Sequence, residues 1–354
     1  MRARGFSLVE FMIAMTIGLF LIAGLVYLIA ETSRSRAEIE RSSRQIENGR
    51  YALDRIAEDL RHAGFYSEYF SVPGPGEAGF PATLTAADPC ATAIAALPAG
   101  MPLAIQAYDG GATVPGDLAG CLLAADYQPN TDILVVRRAG TSAKAVAALA
   151  APDDNLPFIQ TTPLEYKLNL GSAGAAFFDR TLPSANTTAT VPAPLRRYMV
   201  RIYFVAKCNV PSSGVASDPC DAAADGGSPI PTLKMLELGV HPTTLAGPQF
   251  NKLAVAEGIE HLQFEFGIDT TGDGVADTVS TCGGATPCTA LDFSNVVTVQ
   301  VYIVARNTET SPAYFDDKTY RIGVNTYTAV TNSPYRRHSY SSLVRLNNIA
   351  MRRE

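Results

Sequence analysis

The sequence predicts an α+β protein in which a long N-terminal helix, membrane-spanning in its first half, precedes an antiparallel β-rich head. Three features of the chain predict this class. Residues 11–30 form an uncharged and mostly apolar run. Residues 31–63 keep a helical pattern and contain no proline. From residue 65 onward, short apolar runs are separated by segments rich in Ala, Gly, Pro and Thr.

The uncharged run is long enough to cross a membrane. A helix over residues 11–30 rises about 30 Å, which is the hydrocarbon thickness of a bilayer. Arg2 and Arg4 precede the run, and basic residues beside a span stay on the cytoplasmic side. Everything after Ala30 is therefore predicted to lie outside the cytoplasm. Glu10, at the edge of the run, is tolerable either in the headgroup layer or beside a partner of opposite charge.

The same helix is predicted to continue to about residue 63, as one rod of roughly 55 residues and on the order of 85 Å. Ile39, Ile46, Leu53 and Leu60 recur every seven residues on one face. The part of this stripe between Leu53 and Leu60 is expected to dock on the head, and Gly64 is expected to end the helix. The charged side chains on the other faces are expected to be solvated or in weak exposed pairs.

The chain is thus predicted to consist of a membrane-spanning half-helix at 6–30, an amphipathic half-helix at 31–64 and a head at 65–354. Several apolar runs of the head alternate with polar residues, which suits antiparallel sheets with one solvated face. No second independent domain is predicted. The expected strands are 133–137, 198–206, 233–238, 262–268, 296–304, 320–324 and 339–346.

The composition argues against an enzyme and against a nucleic-acid-binding protein. The sequence contains no HExxH, CxxC, GxSxG or GxxxxGK[ST] motif, so no familiar metal, redox, nucleophile or phosphate site is available. No catalytic residue is predicted. The formal net charge is −6, so a basic surface for nucleic acid is not expected.

Six cysteines follow the apolar run, on the side predicted to lie outside the cytoplasm. An oxidising compartment, an even count and the lack of metal-ligand spacing favour disulfides, for which fifteen connectivities are possible. We expect local pairing, because each close pair brackets a loop rich in Gly, Ser or Pro; buried free thiols are the alternative. The expected pairs are Cys90–Cys121, Cys208–Cys220 and Cys282–Cys288.

Residues 269–277 match the first positions of a calcium-binding loop. Asp269, Asp273 and Asp277 provide carboxylates, and Thr271 provides a hydroxyl, at the spacing at which oxygens surround Ca²⁺. The twelfth position, where such loops carry Glu, is Ser280. A tight acidic hairpin turn is the alternative interpretation, since Asp-Gly is a strong turn signal by itself.

A basic group near the C-terminus suits an acidic partner or an anionic surface. Solvated strand edges are the expected explanation, because basic residues also protect edges from pairing. The group comprises Arg336, Arg337, His338, Arg345, Arg352 and Arg353.

The N-terminus resembles the class III signal of type IV pilins and type II secretion pseudopilins. The resemblance lies in basic residues followed by Gly5, Phe6, Ser-Leu-Val-Glu10 and the apolar helix. It implies a leader at 1–5, cut by a prepilin peptidase between Gly5 and Phe6, and N-methylation of the new Phe6 amine. The cut precedes the apolar run, so the helix is retained. Glu10 would then meet the cationic terminus of a neighbouring subunit, where a paired charge costs far less than a lone one.

Stretches at 255–269, 296–306 and 335–348 resemble the PilW family of minor pilins. With the N-terminal signal, the resemblance covers about 1–70 and 255–348. It implies a pilin-like head in a minor pilin of a type IV pilus, a structural subunit that primes or promotes assembly and so serves twitching motility, adhesion and DNA uptake. The family usually offers Asp where this chain has Thr271.

The resemblance also implies partners and a location. The partners are other minor and major pilins, the prepilin peptidase, the pilus assembly platform and a tip adhesin. The location is the bacterial inner membrane, with the head in the periplasm, and then the pilus fibre at the cell surface.

Two other functions compete with this one. A minor pseudopilin of a type II secretion system shares the processing signal and can share a calcium loop. A membrane-anchored calcium-dependent binding module, or a hydrolase, would keep an uncleaved anchor that begins at Met1. The mature N-terminus therefore separates the second alternative from the pilins.

Overall fold

The N-terminal helix is a single rod, as predicted. The computed structural model describes residues 7–69, 84–184, 189–212, 218–284 and 286–352. Helix α1 runs through Leu8–His62 and is 55 residues long. It stops where predicted, because Gly64 adopts a φ of +69°, a left-handed conformation that glycine accepts without steric cost.

Strands make up most of the regular secondary structure in the rest of the described chain. Each of the seven predicted strands overlaps an observed one. The strands are β1 (Ile105–Tyr108), β2 (Ile133–Ala139), β3 (Pro157–Thr161), β4 (Tyr166–Leu170), β5 (Thr181–Pro183), β6 (Thr190–Pro192), β7 (Leu195–Ala206), β8 (Thr232–Gly239), β9 (Gln249–Glu257), β10 (Ile259–Ile268), β11 (Thr278–Ser280), β12 (Val296–Arg306), β13 (Thr319–Ile322), β14 (Asn325–Thr328) and β15 (Arg337–Arg345). Three short helices accompany them: α2 (Gly174–Phe177), α3 (Ala290–Ser294) and α4 (Asn347–Ala350).

Two antiparallel sheets organise the head. In the first, the strand order is β1-β2-β7-β3-β4, and β8 pairs with β7 and with β9. In the second, the order is β11-β10-β12-β15. Two separate hairpins, β5–β6 and β13–β14, complete the described strands. A single residue, Gly258, links β9 of the first sheet to β10 of the second. The predicted α+β class with an antiparallel head is confirmed.

The second half of α1 belongs to the main hydrophobic core. Leu53, Ile56 and Leu60 are buried there, which confirms that this part of the stripe docks on the head. Ile39 and Ile46, earlier in the same stripe, remain 66% and 40% exposed. The buried part of the stripe therefore begins after Ile46. The core joins α1 to inward-facing residues of both sheets. A second apolar cluster covers the opposite face of the first sheet.

The first half of α1 makes no part of this core. Its most apolar stretch lies entirely outside the head, and its length and composition suffice to cross a membrane. Apolar side chains such as Leu19, Phe20 and Leu21 are each at least 70% exposed. Such a surface is costly in water and favourable in lipid.

Candidate functional site

The start of α1 carries the predicted processing and assembly residues. Gly5 and Phe6 lie outside the described residues. Glu10 lies in the first helical turn with its side chain exposed. Its carboxylate accepts a hydrogen bond from the backbone N–H of Ser7 at 2.9 Å. A negative charge is favourable at this end of a helix, because the unpaired N–H groups carry partial positive charge.

The far end of α1 is attached to the head by a buried ionic cluster, here called the Asp59 cluster: Asp59, Arg138, Arg201 and Tyr203. Asp59 is 0% exposed. Its carboxylate accepts hydrogen bonds from Nη2 of Arg138 at 2.9 Å and from Nη1 of Arg201 at 2.6 Å. The Tyr203 hydroxyl also donates to its carboxylate. One residue of the helix is thereby joined to two strands of the first sheet.

The sheet register explains why these partners converge. Strands β2 and β7 pair with each other, with Val136 opposite Arg201 and Arg138 opposite Met199. Side chains two residues apart on a strand share a face, so Arg201 and Tyr203 both point toward the helix. Arg138 reaches the same carboxylate from the neighbouring strand. The pairing of β2 with β7 thus forms the site on the head that binds the Asp59 side chain.

Each charge within this cluster has a partner of opposite sign. Burial alone would raise the pKa of Asp59, but Arg201, the Tyr203 hydroxyl and Arg138 outweigh that effect and hold the pKa below its usual range. Arg201 also pairs with Glu237 at 2.9 Å. Arg197 pairs with the same Glu237 carboxylate at 2.9 Å, so three guanidinium groups face two carboxylates and each of these charges has a partner of opposite sign, which makes buried charges tolerable.

Asp59 corrects the sequence prediction for the charged faces of the helix. That prediction placed such residues in solvent, whereas Asp59 is fully buried. A signal was present in the strands: Arg138 and Arg201 interrupt the apolar runs ILVVRRA and LRRYMVRIYFVA. A cation inside a buried strand requires an acidic partner from elsewhere in the chain.

Nearer the apolar half, α1 contacts the head through polar side chains. Gln45 donates from Nε2 to the backbone oxygens of Ala305 and Arg336, at 2.7 and 3.1 Å. Farther toward the N-terminus, Glu38 accepts from the Ser311 hydroxyl at 2.8 Å and also binds Arg336. The Gln45 contact is buried, whereas the pairs around Glu38 are partly solvated, so salt will weaken the latter more readily.

The C-terminal segment contacts the end of α1. Asn348 donates from Nδ2 to the backbone oxygen of Ala63 at 3.1 Å. Arg352 donates from Nη2 to the backbone oxygen of Gly64 at 2.8 Å. Arg352 is therefore used inside the fold, and burial lowers its pKa.

The prediction of solvated strand edges is also wrong for Arg337. Its guanidinium is buried and pairs with Glu260 and Asp316, each at 3.0 Å. Other members of the basic group behave differently. Arg336 pairs with Glu38, His338 and Arg345 have exposed side chains, and Arg353 lies outside the described residues.

The predicted calcium loop forms the turn between β10 and β11, which pair as an antiparallel hairpin. Asp269 accepts the backbone N–H groups of Gly272 at 2.6 Å and Gly274 at 2.9 Å. The Thr271 hydroxyl lies 3.5 Å from Asp269 and 3.2 Å from Asp277. Three of the four predicted ligands thus converge.

The fourth predicted calcium ligand, Asp273, turns to the N–H of Val275 at 2.9 Å. Among the described residues, no three His, Cys, Asp or Glu side chains are grouped to hold a metal. A calcium ion would therefore need the Thr271 hydroxyl together with backbone or water oxygens, which Ca²⁺ accepts. Calcium binding stays a prediction.

Three disulfides close loops of the head. The bonded pairs are Cys90–Cys121, Cys208–Cys220 and Cys282–Cys288. They are the pairs that local pairing predicts. Their sequence separations are 31, 12 and 6 residues, so each bridge restrains a local loop of the β-rich part and none joins the head to α1.

Comparison with protein families gives two matches. The PilW model, described as type IV pilus-assembly protein W, matches residues 221–348. The prokaryotic N-terminal methylation motif matches residues 1–26. Over these two ranges the chain is similar to pilin-like proteins of the type IV pilus. No curated protein and no solved structure matches it.

Both resemblances seen in the sequence are confirmed, and the two matches cover different parts of the structure. The methylation motif takes in the exposed apolar start of α1, and such a motif on an apolar helix indicates membrane anchoring. The PilW match takes in β8 to β15, including the whole second sheet. Arg138 and Arg201, the basic partners of Asp59, lie outside both matched ranges.

Proposed function

We propose that this chain is a minor pilin of a type IV pilus, a structural subunit that primes or promotes pilus assembly. Through the pilus it would serve twitching motility, adhesion and DNA uptake. Its partners would be other minor and major pilins, the prepilin peptidase, the assembly platform and a tip adhesin. It would wait in the inner membrane with its head in the periplasm and then enter the fibre. No catalytic step is part of this role.

One observation carries the proposal. The methylation motif and the PilW match lie on one chain. In its 55-residue helix the apolar half is exposed, and the other half packs against a β-rich head. A subunit that is stored in lipid and later packed against other helices needs this division. The bare half suits lipid first and neighbouring helices afterwards, while the attached half keeps the head in a fixed orientation.

Glu10 would align each entering subunit. After cleavage, the Phe6 amine carries a positive charge, and the exposed Glu10 of a neighbour carries a negative one. In a bundle of apolar helices these two charges attract strongly, because lipid screens them little. The pair would set the axial position of one helix relative to the next.

Mass spectrometry of the N-terminus of the native protein tests the class. We expect a chain that begins at N-methylated Phe6. Gly5→Ala should leave the full-length form in the membrane, because the peptidase reads the residue before the cut. A mature, functional protein that still begins at Met1 would refute the proposal and favour a membrane-anchored module.

Glu10→Ala tests the assembly role separately from processing. We expect normal cleavage but a loss of entry into fibres, measured as pili sheared from cells and probed for this subunit. Glu10→Asp is the matched control, since it keeps the charge and should retain part of the incorporation. If a strain without this protein keeps its pili and loses protein secretion instead, the type II secretion alternative is correct.

We also propose that the loop between β10 and β11 binds Ca²⁺. Asp269, Asp277 and Thr271 would hold the ion, and Asp273 would join them by turning away from Val275. The convergence of three oxygen-bearing side chains supports this. The hydrogen bonds from the loop amides to Asp269 would remain, because a carboxylate has room for both.

A further inference from the structure

Two loops at the lower end of the head carry exposed apolar side chains that the function proposed above does not use. These basal loops comprise residues 308–318 and 329–336. Phe315 in the first is 63% exposed, and Val330 in the second is 81% exposed. The loops are joined by a backbone bridge between Asp316 and Ser333 and by the N–H of Ser311 donating to the oxygen of Pro334. They therefore form one connected surface.

The height of this surface on α1 is fixed by side-chain contacts. Glu38 binds both Ser311 and Arg336, which belong to the two basal loops. Arg336 also lies over the ring of Tyr314, 4.4 Å from its centre, and Phe315 follows directly. Among the described contacts between α1 and the head, those of Glu38 are the nearest to the apolar half of the helix.

That height is close to the membrane. Glu38 follows the end of the apolar run, Ala30, by eight residues, which is a rise of about 12 Å. The headgroup layer occupies about 5–7 Å outside the hydrocarbon. The remaining gap is about 5–7 Å. A tilt of about 20°, usual for such helices, lowers one side of the head further.

We propose that Phe315 and Val330 insert into the headgroup layer of the bilayer that anchors α1, so that the basal loops are a second membrane contact of the stored subunit. The proposal rests on the membrane-anchored state proposed above. Lipid is the partner we infer because the anchor itself brings these side chains to the surface and no further recognition is needed. Arg34 of α1 and Lys318 of the first basal loop are exposed and suit the phosphate groups of that layer; Asp317, next to Lys318, is an exposed acidic residue of the same loop.

Tryptophan fluorescence provides the test, because the natural chain contains no Trp. Phe315→Trp and Val330→Trp are made separately in the full chain and reconstituted into phosphatidylethanolamine–phosphatidylglycerol vesicles. A fraction of the lipid carries bromine near the headgroup end of the acyl chain. Val279→Trp is the matched control. It is 70% exposed on β11, and pairing through β10 and β12 aligns it with Arg345, three residues before Asn348 contacts Ala63 at the end of α1. This level is about 36 Å farther along α1 than Glu38.

A fourth variant, Tyr27→Trp, reports insertion of α1 itself. We expect brominated lipid to reduce emission at positions 315 and 330 at least twofold, as it does at 27, and to leave position 279 unchanged. If 27 is quenched and 315 and 330 respond no more than 279, the basal contact is refuted and the anchoring stands. If 27 is not quenched, anchoring fails and this inference fails with it.

A change at 315 or 330 that occurs only when other pilus subunits are added would also overturn the inference, and would assign the basal loops to a subunit interface. Near-ultraviolet circular dichroism of each variant checks that the head keeps its fold. Both substituted side chains are mostly exposed, so the wild-type spectrum of the tyrosine bands is expected.

Discussion

Removal of the charge at Asp59 should loosen the head from its helix. In Asp59→Asn the side chain keeps its shape but loses the negative charge that faces Arg138 and Arg201. Arg201 keeps its pair with Glu237, whereas the remaining described hydrogen bond of the Arg138 side chain is to the backbone oxygen of Ala139. The variant therefore leaves a buried guanidinium without a carboxylate.

The size of the effect follows from that burial. Breaking a buried ion pair by removing one partner costs about 3–5 kcal/mol, because the other charge stays in a poorly solvating site. For a domain of this size, each kcal/mol lowers Tm by about 2–4 °C, so a fall of roughly 10 °C is expected. The pKa of Asp59 is lowered in the folded state, so its contribution is complete above the unfolded value of about 3.9 and is lost as the pH falls below it.

The measurement is the thermal unfolding of the full chain in detergent, followed by near-ultraviolet circular dichroism of the tyrosines at pH 7 and again at pH 3. Asp54→Asn is the control, since Asp54 is exposed on the same helix and should change stability by less than about 0.5 kcal/mol. The reasoning is refuted if Asp59→Asn melts within 1–2 °C of the Asp54 variant at pH 7, a difference of about 1 kcal/mol or less.

Three further predictions concern the head. Gly49→Ala should be less stable than Gly24→Ala by about 1–3 kcal/mol, because a Cβ at 49 would lie 2.5 Å from the ring of Tyr340. Gly24 has open space around it, and both substitutions gain the same helix propensity, so it is the control in the same melting assay. Burial raises the pKa of Asp132 to about 8, so the folded state holds a proton that the unfolded chain releases. The free energy of unfolding should therefore fall as the pH rises from 4 to 8. Asp132→Asn should flatten this dependence of stability on pH, and an unchanged slope would contradict the raised pKa of Asp132. Calcium should raise the Tm of the wild type and not of Asp273→Ala, and the metal prediction fails if the wild type does not respond.

The parts of the fold that follow from local patterns could be read from the sequence. An uncharged run, a proline-free heptad and a glycine at the end determine α1, and its observed bounds, Leu8–His62, differ little from the predicted ones. Long strands such as β7 and β12 contain enough β-branched and aromatic residues to be recognised as strands from the sequence. The pairing of the cysteines follows from their short separations.

Features that depend on long-range pairing could not be read in this way. Strand β9 is half exposed at the edge of its sheet, and its sequence QFNKLAVAE alternates too weakly to be distinguished from a loop. Asp59 and Arg337 look like surface charges in the sequence. Asp59 pairs with Arg138, 79 residues away, and Arg337 pairs with Glu260, 77 residues away, as well as with the nearer Asp316. Only the sheet register brings those charges together. The signal available beforehand was a basic residue inside an apolar strand.

The contacts along the second half of α1 also determine how tension would pass through the molecule. A pull on the apolar half would reach the head first at Glu38, farther along at Gln45 and then, about four helical turns later, at Asp59. Near the C-terminus, Asn348 and Arg352 donate hydrogen bonds to the backbone at the end of α1. Stretching would therefore break the partly solvated pairs of Glu38 before it loaded the buried Asp59 cluster. The first mechanical intermediate to look for is a folded head that has detached from the lower part of α1.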